Sequence, residues 1–477
     1  MNFHITKPDD VQDKNILILG LGLYQKGSGI SATKWFMRHG AKVTITDLKS
    51  EVELKTSVNE VLAHFDKYSQ EITDRTIHKP IYILGEHRQV DVESADMIIR
   101  NPGVPKESEF LQYAHKKGIA VESDVSLFFH FCPFPIYAVT GTRGKSTTTA
   151  LIGEMLKKIN SRTVIAGNIQ HSPLEDLDWL MLESAPVPIV LELSSWLIET
   201  LEHVGKAPQI AVMTNLYEDH LNRYASFDDY ADAKKSIFTK QSPEQFAVLN
   251  ANQERVRMIA SQIRSKPLFV QTNSEMQMIE FETIQGEKIQ ICSIAEMAMK
   301  GAHNVENAIA ASIVGYLAGV PVGAIASVLK TFKGLENRQE IVGESNGITF
   351  VNDTTATSPD GAIAALNRFA NGKNIVLICG GASKGLSHNE MGAKIRDVCK
   401  AVVYLQGNAT DQLMTVVGSS VKSEQVGLMQ DAVSAALDFA SAGDVVLLSP
   451  GAASFGMFIN EFDRGAQFKK EVKKRIG

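Results

Sequence analysis

Residues 136–149 read IYAVTGTRGKSTTT, an apolar run followed by a glycine turn, a lysine and a hydroxyl-rich helix start. Those types in that order suit a triphosphate. Glycines admit phosphate oxygens to backbone N–H groups, a helix N-terminus adds partial positive charge, a lysine adds a full charge, and a serine hydroxyl can ligate Mg²⁺. Gly141, Thr142, Gly144, Lys145, Ser146 and Thr147 are therefore expected at phosphate. Val139 stands where the pattern G-x-x-x-x-G-K-[ST] has its first glycine, so only the tighter core from Gly141 to Ser146 is present. The strand before it and the helix after it carry the assignment.

Other residues could serve the same chemistry. Glu192 ends the apolar run 189–191, and His220 closes Glu218-Asp219-His220 after the run 210–214. Both are candidates for metal or substrate, because strand ends of one sheet lie close together. Lys234 sits in the helical stretch 230–238 and from composition alone reads as a solvated lysine. Asn304 and Asn307 are one helical turn apart, so they can read a purine edge together or cap their helix. Arg338 follows a glycine turn and can stack or pair with phosphate. Asp353 ends a strand ahead of Thr354, Thr355 and Thr357, a hydroxyl-rich loop suited to carboxylates or a ribose.

The elements that must position these groups alternate strand and helix. In the first segment a strand Asn15–Leu19 leads to Gly20, Gly22, Gly27 and Gly29, then a helix over 30–39 and a strand over 42–46 ending at Asp47. That is a βαβ start. The dinucleotide fingerprint G-x-G-x-x-G fails at Gln25, which disfavours an NAD-dependent dehydrogenase. Gly22 is expected near a phosphate, and Asp47 either near a ribose or base or solvated at a strand end. Asn101-Pro102-Gly103 follows the strand 97–99 at the carboxyl edge, where open α/β sheets bind ligands. A Pro-rich linker, 131–135, precedes the second segment. The third contains strands over 348–351, 374–379, 401–405 and 445–448 and a final helix over 458–475. Expected domains are 1–131, 132–337 and 338–477. The fold class is α/β, with Rossmann-like first and third domains around a P-loop ATPase-type middle domain.

At 477 residues the chain is too long for one core. A net charge of −6 supplies no basic field for nucleic acid or an anionic membrane. Four dispersed cysteines without a C-x-x-C suit a reducing cytoplasm. No secretory signal and no apolar run of membrane-spanning length is visible.

GTRGKST at 141–147, LELSS at 191–195, Asn215 with EDHLNRY at 218–224, His303-Asn304, Asn352-Asp353 and LSP at 448–450 occur in the order and spacing of the Mur ligases. The chain resembles that family over nearly its whole length, closest to the glutamate-adding branch. The resemblance implies that ATP phosphorylates the carboxylate of UDP-N-acetylmuramoyl-L-alanine and that the amine of glutamate attacks the acyl phosphate. D-Glutamate is the first expectation, and L-glutamate stays open. It further implies an N-terminal domain for UDP, two Mg²⁺ ions, and a monomer acting in the cytoplasm on small molecules, with no nucleic acid or membrane partner. Lys145 would hold the β- and γ-phosphates, Ser146 and Glu192 one Mg²⁺, and His220 a second with Lys234, which aligns with a carbamylated lysine. Asn168 would touch the UDP-substrate, with Gly22, Asp47, Asn101 and His220. Asn304, Asn307, Arg338 and Asp353 would surround adenine and ribose, and Thr357, Lys384, Ser454 and Phe455 the incoming amino acid. Arg143, Thr355 and Glu461 depart from the family's usual residues, as does a first-domain loop lengthened near 24–27. A folate-polyglutamylating sibling is disfavoured by the first domain, and a non-catalytic nucleotide-binding regulator by the joint presence of Lys145, Glu192, His220 and Lys234.

Overall fold

The computed structural model describes residues 5–168, 171–218, 223–383 and 385–476. The chain divides into two compact units, Met1–Phe332 and Lys333–Gly477.

The first unit holds two parallel sheets. One contains β1 (Asn15–Leu19), β2 (Lys42–Asp47), β3 (Ile81–Leu84), β4 (Met97–Arg100) and β5 (Ala120–Glu122), in the order β3-β2-β1-β4-β5. The order reverses direction between β1 and β4, which is where doubly wound sheets open a crevice. The other contains β6 (Ile136–Thr140), β7 (Val164–Gly167), β8 (Ile189–Glu192), β9 (Ile210–Met213), β10 (Phe246–Asn250) and β11 (Lys266–Val270), in the order β11-β10-β9-β6-β8-β7. The central strands β6, β8 and β9 are short runs of apolar residues because helices cover both faces. An antiparallel hairpin, β12 (Met278–Glu282) and β13 (Lys288–Ser293), stands apart from the large sheet. It has no counterpart in the sequence-based reading, although Ile279 and Phe281 alternate with Glu280 and Glu282, and Ile289 and Ile291 with Lys288 and Gln290, which is the pattern of a half-buried strand pair.

One continuous core joins the two sheets of this unit. The helix Ser28–Arg38 buries Trp35, Phe36 and Met37 in a cluster that also includes Phe128, Leu174, Leu177 and Leu180. Its polar atoms are matched across the same seam. Trp35 Nε1 donates to Asp178 Oδ1 at 2.8 Å, and the buried Lys34 pairs with Glu175 at 2.6 Å. The helix starts two residues earlier than expected, with Gly27 at its N-cap.

The second unit is a six-stranded sheet of β14 (Glu340–Ser345), β15 (Ile348–Asn352), β16 (Ile375–Gly380), β17 (Cys399–Leu405), β18 (Lys422–Val426) and β19 (Val445–Leu448), in the order β14-β15-β19-β16-β17-β18. The edge strand β14 is antiparallel to β15, and the other strands are parallel. The final helix is Glu461–Ile476. Its start three residues later than expected reflects an Asn460 side chain that accepts from the amides of Phe462 and Asp463.

Gly29 shows how tightly the first βα turn is packed. A Cβ there would lie 2.4 Å from the carbonyl oxygens of both Gly20 and Leu21. Gly29→Ala is expected to destabilise the first unit by about 1–3 kcal/mol, read as a lowered thermal midpoint, with the second unit's transition unmoved.

Candidate active site

The phosphate loop is built by β6 and its neighbour β9. Loop residues 141–144 leave β6 and enter the helix Lys145–Leu156, with Gly144 at the N-cap in the left-handed region at φ 79°. Three interactions from the end of β9 fix the loop. Arg143 N–H donates to Asn215 Oδ1 at 2.7 Å, Asn215 Nδ2 donates back to the Arg143 carbonyl at 3.0 Å, and Thr214 Oγ1 donates to that carbonyl at 2.6 Å. A Cβ at Gly141 would sit 2.0 Å from Thr214 Oγ1, and one at Gly144 would sit 2.4 Å from Asn307 Oδ1. Both glycines are therefore demanded by close approach. Lys145 Nζ donates to the carbonyls of Gly141 and Thr142 at 3.0 and 2.8 Å, which keeps the ammonium at the loop itself.

Asn307 meets this loop helix, accepting from Thr148 Oγ1 at 3.2 Å, and its own amide donates to Asn304 Oδ1 at 3.4 Å. The expectation that the two amides share a face holds, and both are buried. Gly301, not an asparagine, is the N-cap of their helix.

A cavity of about 150 Å³ opens beside the loop, lined by Lys145, Asn168, Ser194, Ser195, Trp196, Tyr230 and Lys234. Lys234 is only 2% exposed, with Nζ 4.8 Å from the Tyr230 ring centre. The solvated reading drawn from composition is thus overturned. The helix Phe227–Lys235 turns this position inward at its last turn, and the alternation of charges around it hid that face. Glu192, at the end of β8, accepts from Asn168 Nδ2 at 3.1 Å through Oε1. Among the described residues its buried Oε2 has no hydrogen-bond partner. A buried carboxylate oxygen without a donor is costly, and a cation relieves that cost. A carboxylate oxygen of that kind is a hard donor of the type Mg²⁺ takes. His220 lies outside the described residues.

At the edge of the first sheet, Gly22, Asp47 and Asn101 gather at the ends of β1, β2 and β4. Asp47 is buried. Its Oδ2 accepts from Leu21 and Gly22 N–H at 2.9 and 3.2 Å, and its Oδ1 from Lys49 N–H at 2.9 Å. The solvated strand-end alternative fails, and the carboxylate shapes the glycine turn. Gly22 adopts φ 78°, in the left-handed region that favours glycine, and a Cβ there would only touch Asn101 Nδ2, at 3.4 Å.

In the second unit three turns meet at the carboxyl ends of β15, β16 and β19. Gly380 N–H donates to the Pro450 carbonyl, Ala382 and Ala453 bridge, and Gly451 N–H donates to Ala356. Thr357 and Ser454 belong to these turns. Ser454 is buried, whereas Phe455 is 57% exposed. Asp353 accepts from Ser449 Oγ at 2.7 Å and from Gln339 N–H at 3.1 Å. Burial pushes its carboxyl up to about 7, against the lowering effect of those hydrogen bonds and of Arg338 and Arg368. Arg338 lies in the turn before β14, between Asn337 and Gln339, both at positive φ, and that turn meets Asp353 through the Gln339 N–H. Lys384 lies outside the described residues.

Sequence reasoning missed several positioning residues. Asn215 reads in the sequence as part of a motif, and nothing there marks it as the clamp on the loop. Tyr230 carries no motif signal, yet its hydroxyl lies 3.1 Å from Thr142 Oγ1 while its ring faces Lys234. Arg464 is fully buried, donating through Nε to Thr354 Oγ1 at 3.0 Å, through Nη2 to the Thr354 carbonyl at 2.9 Å and through Nη1 to the Ala452 carbonyl at 3.3 Å. A signal existed for it, because Arg464, Phe468 and Val472 recur every four residues on one helix face. Thr354 Oγ1 donates in turn to the Glu461 carbonyl at 2.6 Å, so the departure at 461 enters this network through backbone.

Two doubly wound sheets, a phosphate loop between strand and helix, and an acid on the adjoining strand define an α/β nucleotide-dependent enzyme. Three family models match in succession, the Mur ligase MurD-like N-terminal domain over 14–123, the Mur ligase middle domain over 139–315 and the Mur ligase glutamate ligase domain over 337–451. The chain is 37% identical to the UDP-N-acetylmuramoylalanine–D-glutamate ligase of Roseiflexus sp. (strain RS-1), covering 96% of this chain and 98% of the relative. It is 35% identical to the enzyme of that name from Borreliella afzelii (strain PKo), covering 97% and 98%. The UDP-N-acetylmuramate-alanine ligase MurC from Thermotoga maritima shares the fold at a TM-score of 0.60 and 18% identity, over 97% of this chain and 100% of that one. The chain belongs to the Mur ligase family and has its three-domain α/β architecture. No helix among the described residues is long and apolar enough to cross a membrane.

The buried Asp353 generates a pH dependence. Its folded-state pKa lies above the ordinary 3.8, so the folded state holds the proton more tightly. The resulting stabilisation is present below about pH 4 and is lost as pH rises through about 7. Asp353→Asn is expected to flatten the fall in the second unit's stability across that window, by a few kcal/mol at most, measured by urea unfolding at a series of pH values.

Proposed function

We propose that this chain is the ATP-dependent ligase that joins D-glutamate to UDP-N-acetylmuramoyl-L-alanine in the synthesis of peptidoglycan precursors. The observation that carries the reading is one cavity lined by both the phosphate-loop Lys145 and the buried Lys234, with Asn168 in the same wall donating to Glu192. The relatives covering the whole chain are named for D-glutamate, which favours that isomer over the L form. Four buried free cysteines suit a reducing cytoplasm, and a monomer is the companion expectation.

A carboxylate is a poor electrophile until one oxygen becomes a good leaving group. The substrate carboxylate oxygen attacks the γ-phosphorus of ATP, the bond to the bridging oxygen breaks, and ADP leaves. The amine of glutamate then adds to the acyl carbon. Collapse of the tetrahedral adduct expels inorganic phosphate, and the amine gives up its proton. Lys145 and the loop amides carry the phosphate charge. Asn307 and Asn304 hold the loop helix from the side expected to meet adenine. Asn168 orients Glu192 and reaches the UDP-substrate, with Gly22, Asp47 and Asn101 forming the UDP edge. Ser146 and Glu192 would hold one Mg²⁺, and His220 with Lys234 a second. Bound Mg²⁺ supplies charge neutralisation on the transferring phosphoryl group. Carbamylation would convert the buried Lys234 side chain into a carboxylate analogue able to ligate a metal. Arg338 and Asp353 would meet the nucleotide, and Thr357, Lys384, Ser454 and Phe455 the carboxylates and side chain of glutamate.

Phosphate release, followed with ATP, Mg²⁺, UDP-N-acetylmuramoyl-L-alanine and each glutamate enantiomer, tests the reading. Turnover with the D isomer is expected. Release with neither isomer from folded, ATP-binding protein would instead leave a nucleotide-binding regulator. Lys145→Ala is expected to lower kcat by at least about 100-fold. Lys234→Ala is expected to lose most activity and to recover part of it with formate or acetate. Unchanged activity would remove Lys234 from the site.

A further inference from the structure

Away from the phosphate loop, Glu122, His130 and His203 place three ligand atoms within 4.8 Å of one another. Glu122 ends β5, His130 lies on the helix Asp124–Phe131, and His203 follows the helix Ser195–Glu199. The cluster thus bridges the first sheet's last strand and helix to a segment of the middle sheet. His203 Nε2 is 2.8 Å from Glu122 Oε2, and His130 Nε2 is 3.6 Å from Glu122 Oε1. The two imidazole centres lie 6.1 Å apart with their planes inclined at 41°.

We propose that Glu122, His130 and His203 form a binding site for a transition-metal dication of the zinc class, distinct from the oxygen-donor site for Mg²⁺. Two imidazole nitrogens and one carboxylate are a donor set that zinc, cobalt(II) and nickel(II) favour and that Mg²⁺ does not. In a tetrahedral site with bonds near 2.0–2.1 Å, ligand atoms lie about 3.4 Å apart. His203 and His130 stand against different oxygens of the carboxylate, with one ligand atom from each residue inside 4.8 Å, so side-chain rotation must draw the three onto the ion.

The surroundings fit a metal ligand set. Glu122 is 8% exposed, and its Oε2 accepts from Ser126 Oγ at 2.5 Å, an outer hydrogen bond that fixes the carboxylate's orientation. Both imidazoles are partly open, with side-chain exposures of 36% for His130 and 46% for His203, which leaves an entry path and room for a water as fourth ligand. The same seam is crossed beside the cluster by Ser123 Oγ and Thr200 Oγ1 at 2.7 Å. Ser194, Ser195 and Trp196 line the cavity at one end of the connecting segment, and His203 stands beyond the other end of its helix. The metal would therefore staple two parts of one unit together without touching the reacting atoms.

The test uses the untagged full-length chain in millimolar Mg²⁺, so that oxygen-donor sites are filled. Titration with Zn²⁺ by calorimetry is expected to give one site per chain, and Co²⁺ to give the visible bands of a four- or five-coordinate ion. His130→Gln and His203→Gln, prepared separately, should each weaken Zn²⁺ binding at least about tenfold. In EDTA both should keep a cooperative melting transition, and each should lose the Zn²⁺-induced rise in thermal midpoint seen for the unsubstituted chain. Absence of a Zn²⁺ site in the unsubstituted chain overturns the proposal, as does undiminished binding in either folded variant.

Discussion

The geometry of the phosphate loop depends on a single exchange between neighbouring strands. Asn215 and Thr214, at the end of β9, hold the main chain of Arg143 by both its N–H and its carbonyl. A loop meant to present N–H groups to a ligand cannot satisfy them internally, so it must be held by the few groups it can spare. The parallel pairing of β6 with both β8 and β9 brings Asn215 to one side of the loop and Glu192 to the other. Departure of a side chain from Gly141 or Gly144 toward anything larger than hydrogen would collide with this clamp or with Asn307.

The same economy governs the cavity. Tyr230 connects the loop, through Thr142, to Lys234, so one aromatic side chain sets the spacing between the phosphate end of the site and its buried lysine. Asn168 plays the matching part for Glu192. In the second unit a buried guanidinium takes this role. Arg464 is held by the Thr354 hydroxyl and two backbone carbonyls, which ties the final helix to the turns after β15 and β19. Burial lowers its pKa to about 10, still far above neutrality, so the guanidinium stays charged and its donors stay available.

Much of this was legible from local pattern. The strands β1 and β19 fall at their expected limits, and the loop, its helix and the helix opened by Gly301 stand where glycine and apolar periodicity put them. Helix starts moved by two or three residues where capping by Gly27 or Asn460 outweighed periodicity. The hairpin β12–β13 also left a trace, Ile279 and Phe281 alternating with Glu280 and Glu282, that the reading of the parallel sheets did not take up. The reversed direction of β14 is decided by its short turn to β15 and not by its composition. Lys234 looked solvated because helix-face burial depends on which way the whole helix is turned.

The sequence by itself determined the class of chemistry, because glycine, lysine and serine at fixed spacing act through backbone freedom, charge and a hydroxyl within a few bonds of one another. It also determined the alternation of strand and helix that makes parallel sheets. Only the tertiary structure decided which distant groups meet them. Asn215 at the loop, Tyr230 beside Lys234, Asp47 under the glycine turn and Arg464 beneath Thr354 are pairings across many residues of chain. Their contacts depend on strand order and helix rotation, which are settled by burying apolar faces against one another rather than by any neighbour in sequence.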